Sequence, residues 1–352
     1  MFKKKAKPII GLDISSTAVK LLELGGSRNK IRVDSYAAVG LPAEAVVDKL
    51  VVDAEAVGEA IQRAIKMAGT RTKQAAVAVG GASVITKIIQ LPAGLNENEM
   101  EEQVQLEADQ YIPFPLEEVG MDFEVLGPTQ DDEGSVDVLL AACRSDNIEN
   151  RVAAVELAGL QCKIVDIEAY ALENAAELIL GDAVSGPDSQ SVALIDIGAT
   201  TTTLNILQNH KVIYTRDQAF GGRQLTDEIM RHYGLSFEEA GKAKRLGGLP
   251  ENYGQEVLEP FIEDAIQQIN RALQFFFSSH SQIDVVDQII LAGGTAAIEG
   301  IDAAVQRELE IPTTIADPFA NMTIPARSKP KAVRADAPAL MTACGLAMRG
   351  FD

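Results

Sequence analysis

The sequence predicts an α/β protein built from two related halves, and three observations lead to that prediction. A segment reading IIGLDISST at 9–17 is matched about 180 residues later by ALIDIGATTT at 193–202, and such self-similarity indicates duplicated units. In both copies an apolar strand reaches an Asp and then passes through a turn of small and hydroxyl residues into a second strand. Third, an apolar strand at 288–291 runs into a Gly-Gly turn that precedes a helix.

The two Asp-containing turns have the composition of a phosphate site. Small residues let backbone N–H groups approach phosphate oxygens closely, and an Asp at a strand end can hold a hydrated Mg²⁺ through water. A single hairpin of this kind is more often an ordinary turn, but two that face each other across a cleft would clamp the phosphates of ATP. The predicted contacts, with the two aspartates also serving the metal, are Asp13, Ser15, Ser16, Thr17, Asp196, Gly198, Thr200 and Thr201.

The first predicted domain covers 1–188. Apolar residues at helical spacing predict a helix over 53–67 that ends at Gly69, and Asn96 is a typical cap for a helix reaching about 111. Two prolines within 111–116 predict an extended corner. We expect an inserted small subdomain over about 92–160. Strands are expected at 8–14, 18–24, 31–39, 75–80, 84–90, 121–127, 136–143 and 162–168, with helices at 146–158 and 169–180.

The second predicted domain covers 189–352 and follows a polar, Gly- and Pro-containing link at 181–189. A small helical subdomain is expected over about 225–285. The last helix, near 337–348, could pack back on the first domain. Strands are expected at 191–197, 201–207, 211–216 and 288–291, and helices near 222–233, 236–245, 255–278 and 300–309.

Composition narrows the class of protein. The chain has 352 residues, of which 47% are hydrophobic, and no stretch approaches the ~18 apolar residues of a membrane span. Its basic start lacks the apolar core of a signal peptide, so we expect a cytoplasmic protein. The three cysteines lie apart in apolar sequence and are expected to be reduced core residues, and the isolated histidines do not predict a zinc site.

Charge separates possible partners. The net charge of −20 argues against nucleic acid and anionic lipid, although four lysines near the N-terminus could touch a membrane weakly. Between Lys87 and Arg144 there is no Lys, Arg or His, and this acidic stretch is either a solvated face or a docking surface for a basic segment. No GxxxxGK or GxGxxG motif is present, which disfavours P-loop and Rossmann sites.

The repeated Asp hairpins and the late Gly-Gly turn resemble the ATPase fold shared by actin, Hsp70 and sugar kinases. The resemblance implies that Gly293 and Gly294 pass beneath adenine and ribose, where only a residue without a side chain leaves room. It also implies that Glu168, within 166–171, positions the attacking water. A lone Glu that opens a helix is more often a partner of the helix dipole, so both readings stay open.

Further segments follow the same superfamily pattern. Gly221 and Gly222 open a helix whose amides could meet phosphate, and Lys20 is either a phosphate contact or a solvated strand residue. Ser15 replaces the Gly of many members, which predicts a slightly different turn because Ser tolerates positive φ poorly.

The segment EEAGKAK at 238–244 resembles the nucleoside contact of the superfamily, but Gly241 replaces its central Glu. Glu239 or Lys244 would then supply the ribose contact.

Within this superfamily the chain resembles the PilM family of type IV pilus assembly proteins across nearly its whole length. The matching segments are GLDISS at 11–16, VKLLEL at 19–24, YIPFPLEEV at 111–119, RALQFF at 271–276, PFANM at 318–322 and GLAMRGFD at 345–352. The resemblance implies an ATP- and Mg²⁺-binding adaptor, with slow hydrolysis if any, on the cytoplasmic face of the inner membrane. The implied partner is the N-terminal cytoplasmic tail of the membrane protein PilN.

In the family, the PilN tail lies in a groove beside the inserted subdomain, where the acidic stretch falls. Ile112, Phe114 and Leu116 could line this groove, although they could equally pack the core of the subdomain. Two other functions remain open. A small-molecule kinase would need a catalytic acid that we do not find, and a filament-forming protein like FtsA would need an amphipathic membrane helix after the last core helix, where this chain stops.

Overall fold

The computed structural model of the chain describes residues 8–129, 132–180, 190–280 and 283–352. The N-terminal lysines, residues 130–131 between the strands predicted at 121–127 and 136–143, and the link predicted at 181–189 lie outside the described residues. Among the described helices, none is both long and apolar enough to cross a bilayer.

Fifteen strands and ten α-helices are described. The strands are β1 (Ile10–Ile14), β2 (Ala18–Ser27), β3 (Lys30–Gly40), β4 (Val46–Val47), β5 (Leu50–Val51), β6 (Gln74–Val79), β7 (Val84–Pro92), β8 (Val119–Thr129), β9 (Asp132–Arg144), β10 (Gln161–Ile167), β11 (Ser191–Ile197), β12 (Thr202–Gln208), β13 (Lys211–Gln218), β14 (Gln288–Ala292) and β15 (Thr313–Ile315). The helices are α1 (Ala54–Ala68), α2 (Glu97–Ala108), α3 (Ser145–Leu157), α4 (Glu168–Leu180), α5 (Gly222–Tyr233), α6 (Phe237–Leu246), α7 (Glu259–Ser279), α8 (Ile301–Leu309), α9 (Pro330–Ala335) and α10 (Met341–Met348).

The two largest sheets repeat one strand order. The first sheet has the order β3-β2-β1-β6-β10, and the second has the order β13-β12-β11-β14-β15. In both, the strand that carries the Asp pairs antiparallel with its hairpin partner and parallel with the strand on its other side. The duplicated α/β fold predicted from the two Asp hairpins is therefore confirmed.

Gly69 and Asn96 cap their helices as the sequence predicts, and Asp53, predicted as the first residue of its helix, is a cap as well. Asp53 accepts a hydrogen bond from the amide of Ala56, and Gly69 closes α1 in the left-handed region, which glycine enters without steric cost. Asn96 and Glu99 form a reciprocal capping box that satisfies two otherwise unpaired amides at the start of α2.

The last helix packs against the first half of the molecule. It contacts β1 and α4, and a Cβ at Gly11 would overlap the backbone of α10 at Ala343. Together with α4 it contributes to a core that includes Leu22 of β2, Leu194 of β11 and Ile290 of β14. Because the same helices cover residues of both large sheets, α4 and α10 join the two halves.

The inserted segment has different limits from those we predicted. Its three-stranded sheet has the order β7-β9-β8, so that the insertion begins with β7 near residue 84 rather than at 92. Helix α3 lies outside its core, because Ala154 and Val155 pack with α1 in the core of the first sheet. The small core of the insertion is built by α2 and the sheet. The sequence could not assign α3 to one core or the other, because its buried residues Ala154 and Val155 are apolar and suit either core.

Candidate functional site

The two Asp hairpin turns meet between the two large sheets. The first turn joins β1 to β2 and the second joins β11 to β12, and the Thr200 hydroxyl donates to the Ser16 Oγ at 3.4 Å. This contact joins positions 184 residues apart in the chain. The two phosphate turns predicted from the repeat are thus brought face to face.

Each turn is held by its own hydrogen bonds. The amide and hydroxyl of Ser15 donate to the Ala18 carbonyl at 3.0 and 2.9 Å, and the Gly198 amide donates to the Thr201 carbonyl at 2.9 Å. Ser15 does not adopt a positive φ, so this turn avoids the backbone conformation that Ser tolerates poorly. Within the described residues, five amides of the two turns have no protein partner and remain available to an anion: those of Ser16, Thr17, Ala199, Thr200 and Thr201.

The predicted metal aspartates lie at the base of the turns. Asp13 is nearly buried and accepts from the Lys20 ammonium, which stands opposite it on β2, at 2.7 Å. Burial lowers the pKa of Lys20, but attraction and a hydrogen bond from Asp13 outweigh it and raise that pKa above its usual value. Lys20 is therefore a charged residue inside the site rather than a solvated strand residue.

Asp196 lacks such a close cation. The pKa of Asp196 is raised to about 6, chiefly by burial and also by the nearby charges of Asp13 and Glu168, while Lys20 and Lys49 oppose the rise. Negative charge at this end of the site is therefore only partly compensated, and a cation would relieve it.

A second charged cluster bridges the two sheets. Lys49, in the turn between β4 and β5, lies 2.8 Å from the Glu168 carboxylate at the start of α4 and 3.1 Å from Asp217 on β13. Its ammonium also donates to the Thr203 hydroxyl of β12 at 3.0 Å. Although burial favours the neutral acid, Lys49 and Arg151 hold the pKa of Glu168 below its usual value. Glu168 is thus an ionised carboxylate in the site, already paired with Lys49.

Sequence reasoning missed Lys49, Asp217 and Arg151, which no motif marks. One local signal was present. Two apolar pairs, β4 and β5, flank Asp48-Lys49, and this pattern is typical of a two-residue hairpin. Both turn residues have positive φ, 49° and 65°, which is uncommon for residues with side chains and often marks a functional position.

The Gly222 amide at the start of α5 supports the second turn instead of remaining free, which corrects our expectation for Gly222. The Gly222 amide donates to the Gly198 carbonyl at 3.0 Å and the Arg223 amide to the Ala199 carbonyl at 2.8 Å. Gly221 permits this approach, because a Cβ there would lie 2.6 Å from the backbone of Ala199.

The two candidates on α6 differ. The Lys244 ammonium donates to the Gly222 carbonyl and to the Thr226 hydroxyl, both at 2.7 Å, and burial lowers the pKa of Lys244 to about 8. Lys244 therefore lies beside the second turn. Glu239 instead caps its own helix by accepting from the Ser236 amide and hydroxyl at 2.9 and 2.6 Å, so its carboxylate is already occupied.

The Gly-Gly turn after β14 lies against Asp196. Gly293 has φ of 87°, and a Cβ there would overlap the Ile197 carbonyl and approach the Asp196 Oδ1 to 2.5 Å. Next to Gly294, the Thr295 hydroxyl donates to the Gly198 carbonyl at 2.8 Å. The turn therefore fixes the second Asp and the second phosphate turn, a role the sequence did not predict.

The predicted partner residues lie mainly inside the insertion. Ile112 is 5% exposed and belongs to the insertion core, so it does not line a surface groove. Phe114 and Leu116 are half-buried and pack against the same core, and the Arg144 guanidinium lies over the Phe114 ring at 5.6 Å. Core packing, the alternative we left open, accounts for Ile112, whereas Phe114 and Leu116 keep exposed surface and stay predicted partner residues.

The donors at the turns fit a hydrated metal better than a directly bound one. Among the described residues, no group of three or more His, Cys, Asp or Glu is arranged to hold a metal ion. The facing turns carry the Ser16 and Thr200 hydroxyls and five amides without partners, and the carboxylates of Asp13 and Asp196 lie at their bases. Oxygen donors of this kind suit Mg²⁺, which keeps most of its waters and binds through few carboxylates and phosphates.

The repeated sheets and the facing Asp turns define an actin-like α/β protein. A family model described as type IV pilus assembly protein PilM matches residues 11–351. The chain therefore belongs to that family, as its sequence predicted.

Known relatives agree with this assignment. A solved structure of a PilM-PilN type IV pilus biogenesis complex is 28% identical, covers 98% of both chains and superposes with a TM-score of 0.81. Cell division protein FtsA of Bacillus subtilis (strain 168) is 23% identical over 88% of this chain and 78% of its own. Ethanolamine utilization protein EutJ of Carboxydothermus hydrogenoformans, 18% identical with a TM-score of 0.57 over 99% of this chain and 91% of its own, shares the fold.

Proposed function

We propose that this chain is a nucleotide-binding adaptor of the type IV pilus inner-membrane complex. One observation carries the nucleotide part: two turns with free amides and hydroxyls face each other, and each follows a buried strand that carries an Asp. Amides without partners at two facing turns favour an anion, while partly uncompensated carboxylates at the base of the turns favour a cation. Mg-ATP supplies both charges in one ligand.

Each residue of the site has a proposed role in holding Mg-ATP. Asp13 and Asp196 would hold Mg²⁺ through water, and the turn amides would hold phosphate oxygens. Lys20 would neutralise phosphate charge, since its ammonium already lies at the base of the first turn. Lys244 and the Gly293-Gly294 turn would border the nucleoside side of the gap.

We expect ATP turnover to be slow or absent. When bound, Mg-ATP brings a γ-phosphate that water can attack, and Glu168 is the carboxylate placed to orient that water. Its carboxylate is paired with Lys49 at 2.8 Å, however, and a general base held by an ammonium is a weak proton acceptor. The proposed consequence of binding is closure of the two halves, which are linked across the gap by Lys49, Asp217 and Thr203.

The proposed partner is the N-terminal cytoplasmic tail of PilN. Family membership and the likeness to a solved PilM-PilN complex support this proposal. The acidic stretch between Lys87 and Arg144 forms most of the inserted subdomain and would favour a tail with basic residues. The protein would then be held at the inner membrane through its partner.

Calorimetric titrations test the two parts of the proposal separately. We expect Mg-ATP to bind the wild-type protein with micromolar affinity and to bind a double variant, Asp13→Asn/Asp196→Asn, at least tenfold more weakly. The two substitutions together remove about 1.4 kcal/mol or more of attraction for the metal ion. A synthetic PilN-type tail should bind with an affinity that falls as salt rises. Equal ATP affinity in the variant, or no peptide binding at any salt concentration, would contradict the corresponding part.

A further inference from the structure

One face of helix α3 connects the root of the insertion to both loops of the charged site. Asn147 and Arg151 lie four residues apart and therefore project from the same face of the helix. They are 2% and 1% exposed, which makes them two of the most deeply buried polar residues of the chain. Neither is used in the proposed binding of nucleotide or peptide.

Asn147 contacts both segments that connect the insertion to the rest of the molecule. Its amide nitrogen donates to the Ser83 hydroxyl at 2.9 Å and to the Cys143 sulfur at 3.5 Å. Ser83 immediately precedes β7, where the chain enters the insertion, and Cys143 pairs with Val84 where the chain leaves it along β9. Any rotation of the insertion about this root must move the partners of Asn147.

Arg151 binds the backbone of the two loops that carry the charged residues. Its guanidinium donates to the Ile14 carbonyl at 3.3 Å and to the Lys49 carbonyl. Ile14 follows Asp13 at the start of the first phosphate turn, and Lys49 holds Glu168. Among the described residues Arg151 has no carboxylate within ion-pair distance, and its Nε has no partner.

A buried guanidinium paired only with carbonyls is costly, since charge is desolvated without an opposite charge in contact. Burial accordingly lowers the pKa of Arg151, while the more distant charges of Glu168 and Asp13 oppose the change. An apolar side chain of similar length would fill the same space at lower cost. An apolar side chain would, however, lack the guanidinium N–H groups with which Arg151 holds the Ile14 and Lys49 carbonyls from one helix.

We propose that Asn147 and Arg151 are positioning residues through which the inserted subdomain and the phosphate turn set each other's geometry. This inference rests on the proposed function, because it assigns the route by which nucleotide and partner influence each other. A packed helix whose side chains are hydrogen-bonded to both regions is the kind of rigid element that can carry coupling between two sites. By linkage, the effect must be equal in both directions.

The first experiment needs no ligand. Hydrogen–deuterium exchange is compared between the wild-type protein and Asn147→Leu, which removes the contacts to the root of the insertion while keeping a similar volume. We expect amides near Ile14 and Lys49 to exchange about tenfold faster in the variant, as their support loosens. Glu149→Ala, an exposed substitution on the same helix, serves as the control and should leave these two loops unchanged. Unchanged exchange near Ile14 and Lys49 in Asn147→Leu would overturn the proposal.

The second experiment measures coupling by titrating the PilN-type peptide with and without Mg-ATP. We expect a coupling factor of roughly tenfold in the wild type and near unity in Asn147→Leu and Arg151→Met, with partial recovery in Arg151→Lys because an ammonium can still reach one carbonyl. A role in space-filling alone would not separate Met from Lys at this position. If wild type binds both ligands and the variants keep its coupling factor, the inference fails. Failure of wild type to bind either ligand instead counts against the proposed function, and the exchange experiment then decides the inference alone.

Discussion

Replacing Asp196 with Asn should stabilise the folded protein at neutral and alkaline pH while weakening the site. Burial raises the pKa of Asp196 from 3.8 to about 6, so the ionised carboxylate is less favourable in the folded chain than in the unfolded chain. Each pKa unit corresponds to 1.36 kcal/mol, which sets an upper limit of about 3 kcal/mol. Solvent screens part of this at a half-buried group, and we expect about 1–2 kcal/mol.

The pH dependence gives the sign of the effect. Below about pH 4 both states are protonated and the carboxylate has no cost. Between about pH 4 and pH 6 the folded state binds more protons than the unfolded state, so wild-type stability falls as pH rises, and above about pH 7 the full cost is present. The amide of Asp196→Asn does not titrate, so the variant lacks this loss.

Urea unfolding at pH 5 and pH 8 measures this difference. We expect Asp196→Asn to exceed wild type in the free energy of unfolding at pH 8, with a smaller gain at pH 5, and to bind Mg-ATP more weakly. Asp264→Asn, an exposed substitution on α7, should change stability by less than about 0.5 kcal/mol at both values. A destabilised Asp196→Asn at pH 8, or a gain that does not shrink as pH falls, would refute the reasoning.

Three further substitutions test other parts of the structure. Lys49→Met should lower the free energy of unfolding by about 2 kcal/mol, because it leaves the carboxylates of Glu168 and Asp217 without their cation. Gly293→Ala should lower the free energy of unfolding by about 1–3 kcal/mol and weaken ATP binding, because Gly293 has a positive φ and a Cβ there would displace Asp196. Its control is Gly241→Ala, which lies in a helix with open space around it and should raise the free energy of unfolding by about 1 kcal/mol. Ile112→Ala should cost about 2–5 kcal/mol by leaving a cavity in the insertion core.

Denaturant unfolding, with ATP and peptide titrations beside it, checks all three. If Lys49→Met left the free energy of unfolding unchanged, the ion pairs of Lys49 with Glu168 and Asp217 would contribute nothing to stability. Equal effects of Ala at positions 293 and 241 would contradict the steric argument. Loss of peptide binding in an Ile112→Ala protein of unchanged stability would restore that residue to the partner surface.

The sequence predicted what is encoded locally or by repetition. The two Asp hairpins, the caps at Gly69 and Asn96 and the family follow from patterns within short segments, because strand and cap preferences act over a few residues. The repeat also located Asp13 and Asp196, since a duplicated hairpin places equivalent residues in equivalent positions.

Residues that act through distant contacts were not predictable in the same way. Lys49 meets Glu168 and Asp217 across separations of more than a hundred residues, and a Lys between two short apolar pairs carries no mark of such partners. Arg151 reads as an ordinary helix residue until its burial is known. The limits of the insertion failed for a related reason, because α3 is apolar enough to suit either core and only packing decides between them.

The account rests on the claim that the facing turns bind a nucleotide whose presence is felt at the partner site. The most direct measurement is calorimetric titration of a PilN-type N-terminal peptide into the protein with and without Mg-ATP, repeated with an Asp13→Ala/Asp196→Ala variant. We expect micromolar peptide binding that changes with Mg-ATP in the wild type and does not change in the variant. Peptide binding that is identical with and without Mg-ATP in the wild type would contradict the account.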